Sequence, residues 1–165
     1  MRDVQKSTLR MSQAQLSTAP DFSLPATGGT EVSIAAQRGH FVVLYFYPKD
    51  NTPGCTTEGQ NFRDAHAEFS RLDCRIFGIS RDSLKSHENF KAKMSFPFEL
   101  ISDTDEVACK LYDVIKMKNM YGKKVRGIER STFVIDREGR ICREWRGVKV
   151  PNHVQEVLEF VKSIA

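Results

Sequence analysis

Four thiols are the side chains of this sequence best suited to covalent chemistry, and their spacing limits what that chemistry is. Cys55, Cys74, Cys109 and Cys142 are separated by 19, 35 and 33 positions, so no C-x-x-C pair exists to hold zinc or to act as a dithiol exchange centre. Cys55 differs from the others in its setting. The stretch YPKDNTPGCTTEGQNF, residues 47–62, places it after two prolines and a Thr-Pro-Gly turn, at the mouth of a helix-forming segment. The first N–H groups of a helix lack internal partners and form its positive end, so a thiolate is favoured over a thiol there. Thiolate is the nucleophilic form. The competing reading, a small buried apolar side chain, is the common fate of cysteine, but Asp50, Asn51, Thr52, Thr56, Thr57 and Glu58 surround Cys55 with polarity. His40, His66, His87 and His153 fall in four different elements without ligand spacing and take surface or core roles. Phosphate-cradling glycine patterns and haem attachment motifs are absent, so no cofactor or metal is expected.

The elements that position Cys55 read as alternating strands and helices. FVVLYFY, 41–47, is a continuous β-branched and aromatic run of the kind buried on both faces of a sheet, and CRIFGIS, 74–80, is a second. Between them Phe62, Ala65, Phe69 and Leu72 mark one face of a helix. A helix is expected over 83–94, capped by Asp82 or Ser83 and stopped by Pro97 before the strand FELIS. Asp103 with Glu106 suggests a capping box for a short helix turning Val107, Ala108, Leu111 and Tyr112 inward. VIKMKNMYGKKVRG, 114–127, shows no clean period and reads as a basic loop. STFVID and RICREW flank Arg137-Glu138-Gly139 as a hairpin, and Val154, Val157, Leu158, Val161 and Ile164 form the stripe of a closing helix. This order predicts an α/β domain with helices on both faces of a central mixed β-sheet.

Composition bounds the rest. The chain has 165 residues, 40% of them hydrophobic, enough for one core and too few for two domains. Residues 1–18 are polar and read as a flexible arm preceding a single domain at 19–165, with Met11 a candidate start; Asp3 and the lack of an amphipathic stripe argue against a transit peptide. No apolar run reaches transmembrane length, so no membrane partner is expected. The net charge of +4 is far below that of a dedicated nucleic-acid binder, and none is expected as partner. A cytoplasmic location follows as the default, in which thiols stay reduced.

Pro48, Thr52 and Cys55 match the P-x-x-x-T-x-x-C signature of peroxiredoxins, and LYFYPKDNTPGCTTEG with MYGKKVRGIERSTFVIDREG resembles the bacterioferritin comigratory protein, or peroxiredoxin Q, subfamily. The likeness runs from about Pro20 to the C-terminus. It implies a thioredoxin-like fold and a thiol-dependent peroxidase serving antioxidant defence and cell redox homeostasis. Cys55 would attack hydrogen peroxide or an organic hydroperoxide and become a sulfenic acid. The resemblance also implies that Thr52 donates to sulfur or peroxide, that Pro48 shapes and shields the site, and that Arg130 lies beside the sulfur. Glu58 and Arg146 would hold that arginine. A monomer is implied as well.

The sequence departs from these relatives where a resolving cysteine would stand: Gln60 and Lys91 occupy the two positions. A one-cysteine mechanism is therefore expected, with the sulfenic acid reduced by thioredoxin, or by glutathione with glutaredoxin. Cys109, at the boundary of its helix stripe, is the alternative resolver. Cys74 reads as core packing, and Cys142 alternates onto the face of Glu144 and Arg146, where it would be accessible.

Overall fold

The computed structural model describes residues 16–165. Among the described residues ten strands occur in chain order: β1 Ser17–Thr18, β2 Ser23–Ala26, β3 Thr30–Ser33, β4 Phe41–Phe46, β5 Cys74–Ser80, β6 Glu99–Ser102, β7 Ile115–Met120, β8 Lys123–Ile128, β9 Ser131–Ile135 and β10 Arg140–Arg146. Four α-helices among the described residues interleave with them: α1 Pro53–Arg71, α2 Leu84–Met94, α3 Val107–Leu111 and α4 His153–Ile164. Eight strands form one sheet in the order β1-β10-β9-β4-β5-β6-β2-β3, and β7 pairs only with β8. The central neighbours β4, β5 and β6 run parallel and the flanking strands antiparallel, so the sheet is mixed.

Alternation along β4 divides the core. Phe41, Val43 and Tyr45 face a layer containing Phe62 and Phe69 of α1, Phe90 of α2, and Val154, Val157, Leu158 and Val161 of α4. Val42, Leu44 and Phe46 face the other layer, with Ala108 and Cys109 of α3, Tyr112 and Phe133. Helices therefore cover both faces, unevenly. Covering both sides is what lets β4 be apolar at every position.

Several local expectations hold. Ser83 caps α2 by accepting from Ser86 N–H at 3.1 Å, and Gly139, at φ +80°, makes the turn between β9 and β10. Others need correction. Ser17 and Thr18, expected in the arm, pair with Ile141 and Arg140 of β10; the rest of the expected arm, Met11 included, lies outside the described residues. Helix α2 stops at Ser95, left-handed at φ +56°, two positions before Pro97. Asp103 does cap α3, accepting from the N–H groups of Val107 and Cys109 at 2.7 and 2.8 Å. Glu106 does not reach back; it caps α3 with left-handed backbone, and its carboxylate pairs with Arg81 and Arg126. That anchoring turns Val107 and Leu111 outward, 44% and 49% exposed, and buries Cys109 completely. The supposed loop at 114–127 is the β7–β8 hairpin, which lacks an apolar period because only its base is buried.

Candidate active site

Strand β4 ends at Phe46, and the turn Tyr47–Thr52 carries the chain into α1. Thr52 is the N-cap and Pro53 occupies the first helical position, where its missing N–H costs nothing. Cys55 thus sits in the first turn of α1, beside N–H groups that have no carbonyl to bond within the helix. On the facing side Arg130 leaves the β8–β9 connection, two residues past the end of β8. Its Nη2 donates to Cys55 Sγ at 3.5 Å, and its Nη1 donates to Glu58 Oε1 at 2.6 Å. Gly54 makes the approach possible, since a Cβ there would stand 3.1 Å from Arg130 Nη2. The guanidinium and the helix end place positive potential on both sides of one sulfur.

Residues 16–143 match the AhpC/TSA family. The chain belongs to that family and is a peroxiredoxin. It is 53% identical to peroxiredoxin Bcp of Xanthomonas campestris over 145 residues, covering 88% of this chain and 91% of that one. Over 147 residues it is 48% identical to peroxiredoxin Bcp of Bacillus subtilis, covering 89% and 94%. Among solved structures, the Xanthomonas campestris bacterioferritin comigratory protein, described for alkyl peroxide reduction, superposes with a TM-score of 0.83 at 52% identity, covering 87% and 91%. Xylella fastidiosa PrxQ gives 0.84 at 44% identity, covering 90% and 97%. The fold is accordingly the thioredoxin-like fold of peroxiredoxins, and the enzyme is a thiol-dependent peroxidase of the Bcp, or Q, subfamily.

In this peroxiredoxin Cys55, Glu58 and Arg130 come together as the resemblance implies, but Cys55 is only 2% exposed and belongs to the core layer under α1. Asp50 and Thr52, among its polar sequence neighbours, bond elsewhere. Pro48 is half-buried at the turn. The Thr52 hydroxyl donates to the Lys49 carbonyl at 2.8 Å, so its proton is committed and its lone pairs remain to accept. Glu58 is fully buried, and its Oε2 has no hydrogen-bond partner among the described residues. Burial pushes its carboxyl up to about 7, against the opposing charge of Arg130. Nearby, burial and then the positive charges of Arg130 and Arg143 push His153 down to about 4, so it stays neutral and adds no competing cation.

Arg146 does not meet Arg130. It donates to the carbonyls of Asp113 and Tyr112 at 2.8 and 2.9 Å, pairs with Glu144 at 2.6 Å and lies over the Phe133 ring. It therefore fastens the C-terminal end of α3 to β10. Cys109 lies in the opposite core layer from Cys55, and burial, then the Asp103 carboxylate, pushes its thiol upward. Burial, then Cys142, does the same for Cys74. Cys142 is 6% exposed rather than accessible. A bulge between Ile141 and Arg143 shifts the register of β10 there, and Cys142 joins the layer of Cys55 instead of the face of Glu144. No disulfide joins the four cysteines.

Two residues that sequence reasoning passed over anchor the turn. Asp50, 5% exposed, accepts from Tyr47 Oη at 2.7 Å and Ser86 Oγ at 2.8 Å, and His87 Nδ1 lies 2.8 Å from it. His87 Nε2 donates to the Ile101 carbonyl at 2.9 Å, and Asp50 N–H donates to Asp82 at 3.0 Å. Asp50, Asp82 and His87 gather closely enough to suggest a cation site, but their polar atoms are engaged with one another and with Tyr47, Ser80 and Ser86. The cluster is a clamp on the segment between Pro48 and Thr52. The available signal was an acid placed inside that short polar turn.

Proposed function

We propose that Cys55 is the peroxidatic residue and that the enzyme works through this one cysteine, reducing hydrogen peroxide and small organic hydroperoxides. The observation that carries the reading is Arg130 Nη2 at 3.5 Å from Cys55 Sγ, with the guanidinium held by Glu58. The Cys55 thiolate attacks the terminal oxygen of the hydroperoxide in line with the O–O bond. An S–O bond forms as the O–O bond breaks, leaving Cys55 as sulfenic acid; the departing alkoxide or hydroxide takes a proton and leaves as alcohol or water. Arg130 stabilises the negative charge spread over both oxygens. Thr52, its own proton held by Lys49, accepts the hydroperoxide O–H and fixes the substrate's orientation. Pro48 narrows the mouth and limits water.

The burial of Cys74, Cys109 and Cys142, with Cys109 across the sheet, supports reduction by an outside thiol, thioredoxin or glutathione with glutaredoxin. That thiol attacks the sulfenic sulfur to give a mixed disulfide and water, and a second thiol then releases Cys55. The alkyl peroxide reduction described for the Xanthomonas relative is consistent with the substrate class. A monomer acting in the cytoplasm, in antioxidant defence, completes the proposal. The test is mass spectrometry after one equivalent of peroxide. A single added oxygen on the Cys55 peptide is expected, whereas an internal disulfide would rule out the one-cysteine route and an unmodified Cys55 the whole reading.

A further inference from the structure

The β7–β8 hairpin stands apart from the main sheet. Only its base joins the core, through Ile128, Ile115 and the Glu129 N–H that donates to the Val114 carbonyl at 2.7 Å. Beyond the base it exposes Met117, Met120, Val125 and, at its tip, Tyr121, which is 99% exposed. Those are four of the six large apolar side chains exposed among the described residues. The other two, Val107 and Leu111, belong to α3, which is tied to the hairpin by Glu106 with Arg126 and by Asp113 with Lys116. Between positions 114 and 128 the chain carries five cations and no acid. Among the described residues Lys118, Lys123 and Lys124 form no ion pair.

This patch adjoins the reacting sulfur. Arg130 follows β8 by two residues. Lys118 is half-buried on the hairpin face shared with Val125, Met120 and Lys123, and the charges of Arg130 and Cys55 both act on it. A surface that combines flexible methionines, a protruding tyrosine and unpaired cations suits a protein partner. The buried sulfur adds a requirement, since a reducing thiol must be held at this face while the first turn of α1 opens to admit it.

We infer that the β7–β8 hairpin, with the exposed face of α3, docks the protein that reduces oxidised Cys55, a thiol-bearing partner presenting an acidic and partly apolar face. The inference rests on the outside-thiol reading above. Unpaired lysines steer such a partner and the apolar tip holds it. An anionic membrane would match the same charges but would bring no thiol to the sulfenic acid.

The experiment compares wild type with the triple variant Tyr121→Ala, Lys123→Glu, Lys124→Glu in steady-state turnover driven by thioredoxin, by glutaredoxin with glutathione, and by dithiothreitol. For the protein reductant that supports wild-type turnover, KM should rise by about tenfold or more and its salt dependence should flatten. Turnover with dithiothreitol and single-turnover oxidation by peroxide should not change, which also confirms that the variant is folded. An unchanged KM overturns the inference, as does a wild type that dithiothreitol turns over but neither protein does. Binding to phosphatidylglycerol vesicles that is lost in the variant, with KM unchanged, would assign the patch to membranes and equally overturn it. Failure of wild-type Cys55 to gain oxygen from peroxide is a separate outcome that removes the peroxidatic reading itself.

Discussion

Arg130 and Glu58 form a buried ion pair at 2.6 Å across 72 positions of sequence, and that pair aims the second guanidinium nitrogen at Cys55 Sγ. A lysine has one ammonium and cannot serve both anions in this fork geometry. Arg130→Lys should therefore slow oxidation of Cys55 by hydrogen peroxide about 100-fold in stopped-flow measurements, and Cys55→Ser should abolish it. Single substitutions of Cys74, Cys109 and Cys142 should leave this first step intact. A loss below threefold for Arg130→Lys would mean that the guanidinium does not serve the reacting oxygens.

Glu58 should leave a mark on pH dependence. Its carboxyl is raised from 4.5 to about 7 in the folded protein, chiefly by burial, so the folded state binds more protons than the unfolded state between those values. Its contribution to stability is full below pH 4.5 and is lost as pH rises through 7. Glu58→Gln should remove that loss, worth up to about 3 kcal/mol, and with it an inflection near neutrality in the oxidation rate. Denaturant melts at pH 5 and pH 8 test this, and parallel pH dependence in wild type and variant would refute it.

His153 works in the opposite sense. Its imidazole is lowered from 6.5 to about 4, first by burial and then by Arg130 and Arg143. The stability it contributes is present above pH 6.5 and disappears as pH falls through 4. His153→Gln, which can still bond the Thr132 hydroxyl now 2.8 Å from Nε2, should flatten the acid side of the stability curve. Thermal melts between pH 4 and pH 7 provide the measurement.

Gly54 should separate fold from function. A helix gains roughly 1 kcal/mol when Gly becomes Ala, yet the new Cβ would press on Arg130 Nη2 from 3.1 Å. Gly54→Ala is expected to keep or raise Tm while slowing peroxide oxidation several-fold. A variant that is faster, or that melts lower, would contradict the close approach seen between α1 and Arg130.

Asp50 should matter to both. Asp50→Ala strands the Tyr47 and Ser86 hydroxyls and the His87 Nδ1 in a buried setting, at a cost of about 2–4 kcal/mol. The turn carrying Pro48 and Thr52 would loosen, so oxidation should slow as well. Asp50→Asn keeps an acceptor for one of the two hydroxyls and should recover part of each loss. Calorimetry and stopped-flow oxidation on the two variants decide it.

Most strong elements were readable because burial writes a period into the sequence. The unbroken apolar run of β4 and the stripes of α1 and α4 each report the layer they face. Where burial stops, so does the signal, and the β7–β8 hairpin, exposed along most of its length, left none. A one-turn helix such as α3 is too short for a stripe to fix its rotation; Asp103 and the Arg81–Glu106–Arg126 bridge set it instead and carry Cys109 into the core. Cys142 was misplaced for a related reason, since strict alternation fails across the bulge in β10.

The sequence by itself determined the candidate nucleophile and its immediate frame, because a Pro-rich turn, a capping position and a helix start are local and depend on near neighbours. Only the tertiary structure decided what surrounds the sulfur. The sheet order puts β9 beside β4 and so carries Arg130 back across 75 positions to Cys55. The same packing sends Arg146 to the end of α3, Cys109 to the far layer, and Asp50 to His87. Such pairings depend on which elements become neighbours in space, and that is a property of the whole core, with no counterpart in local spacing.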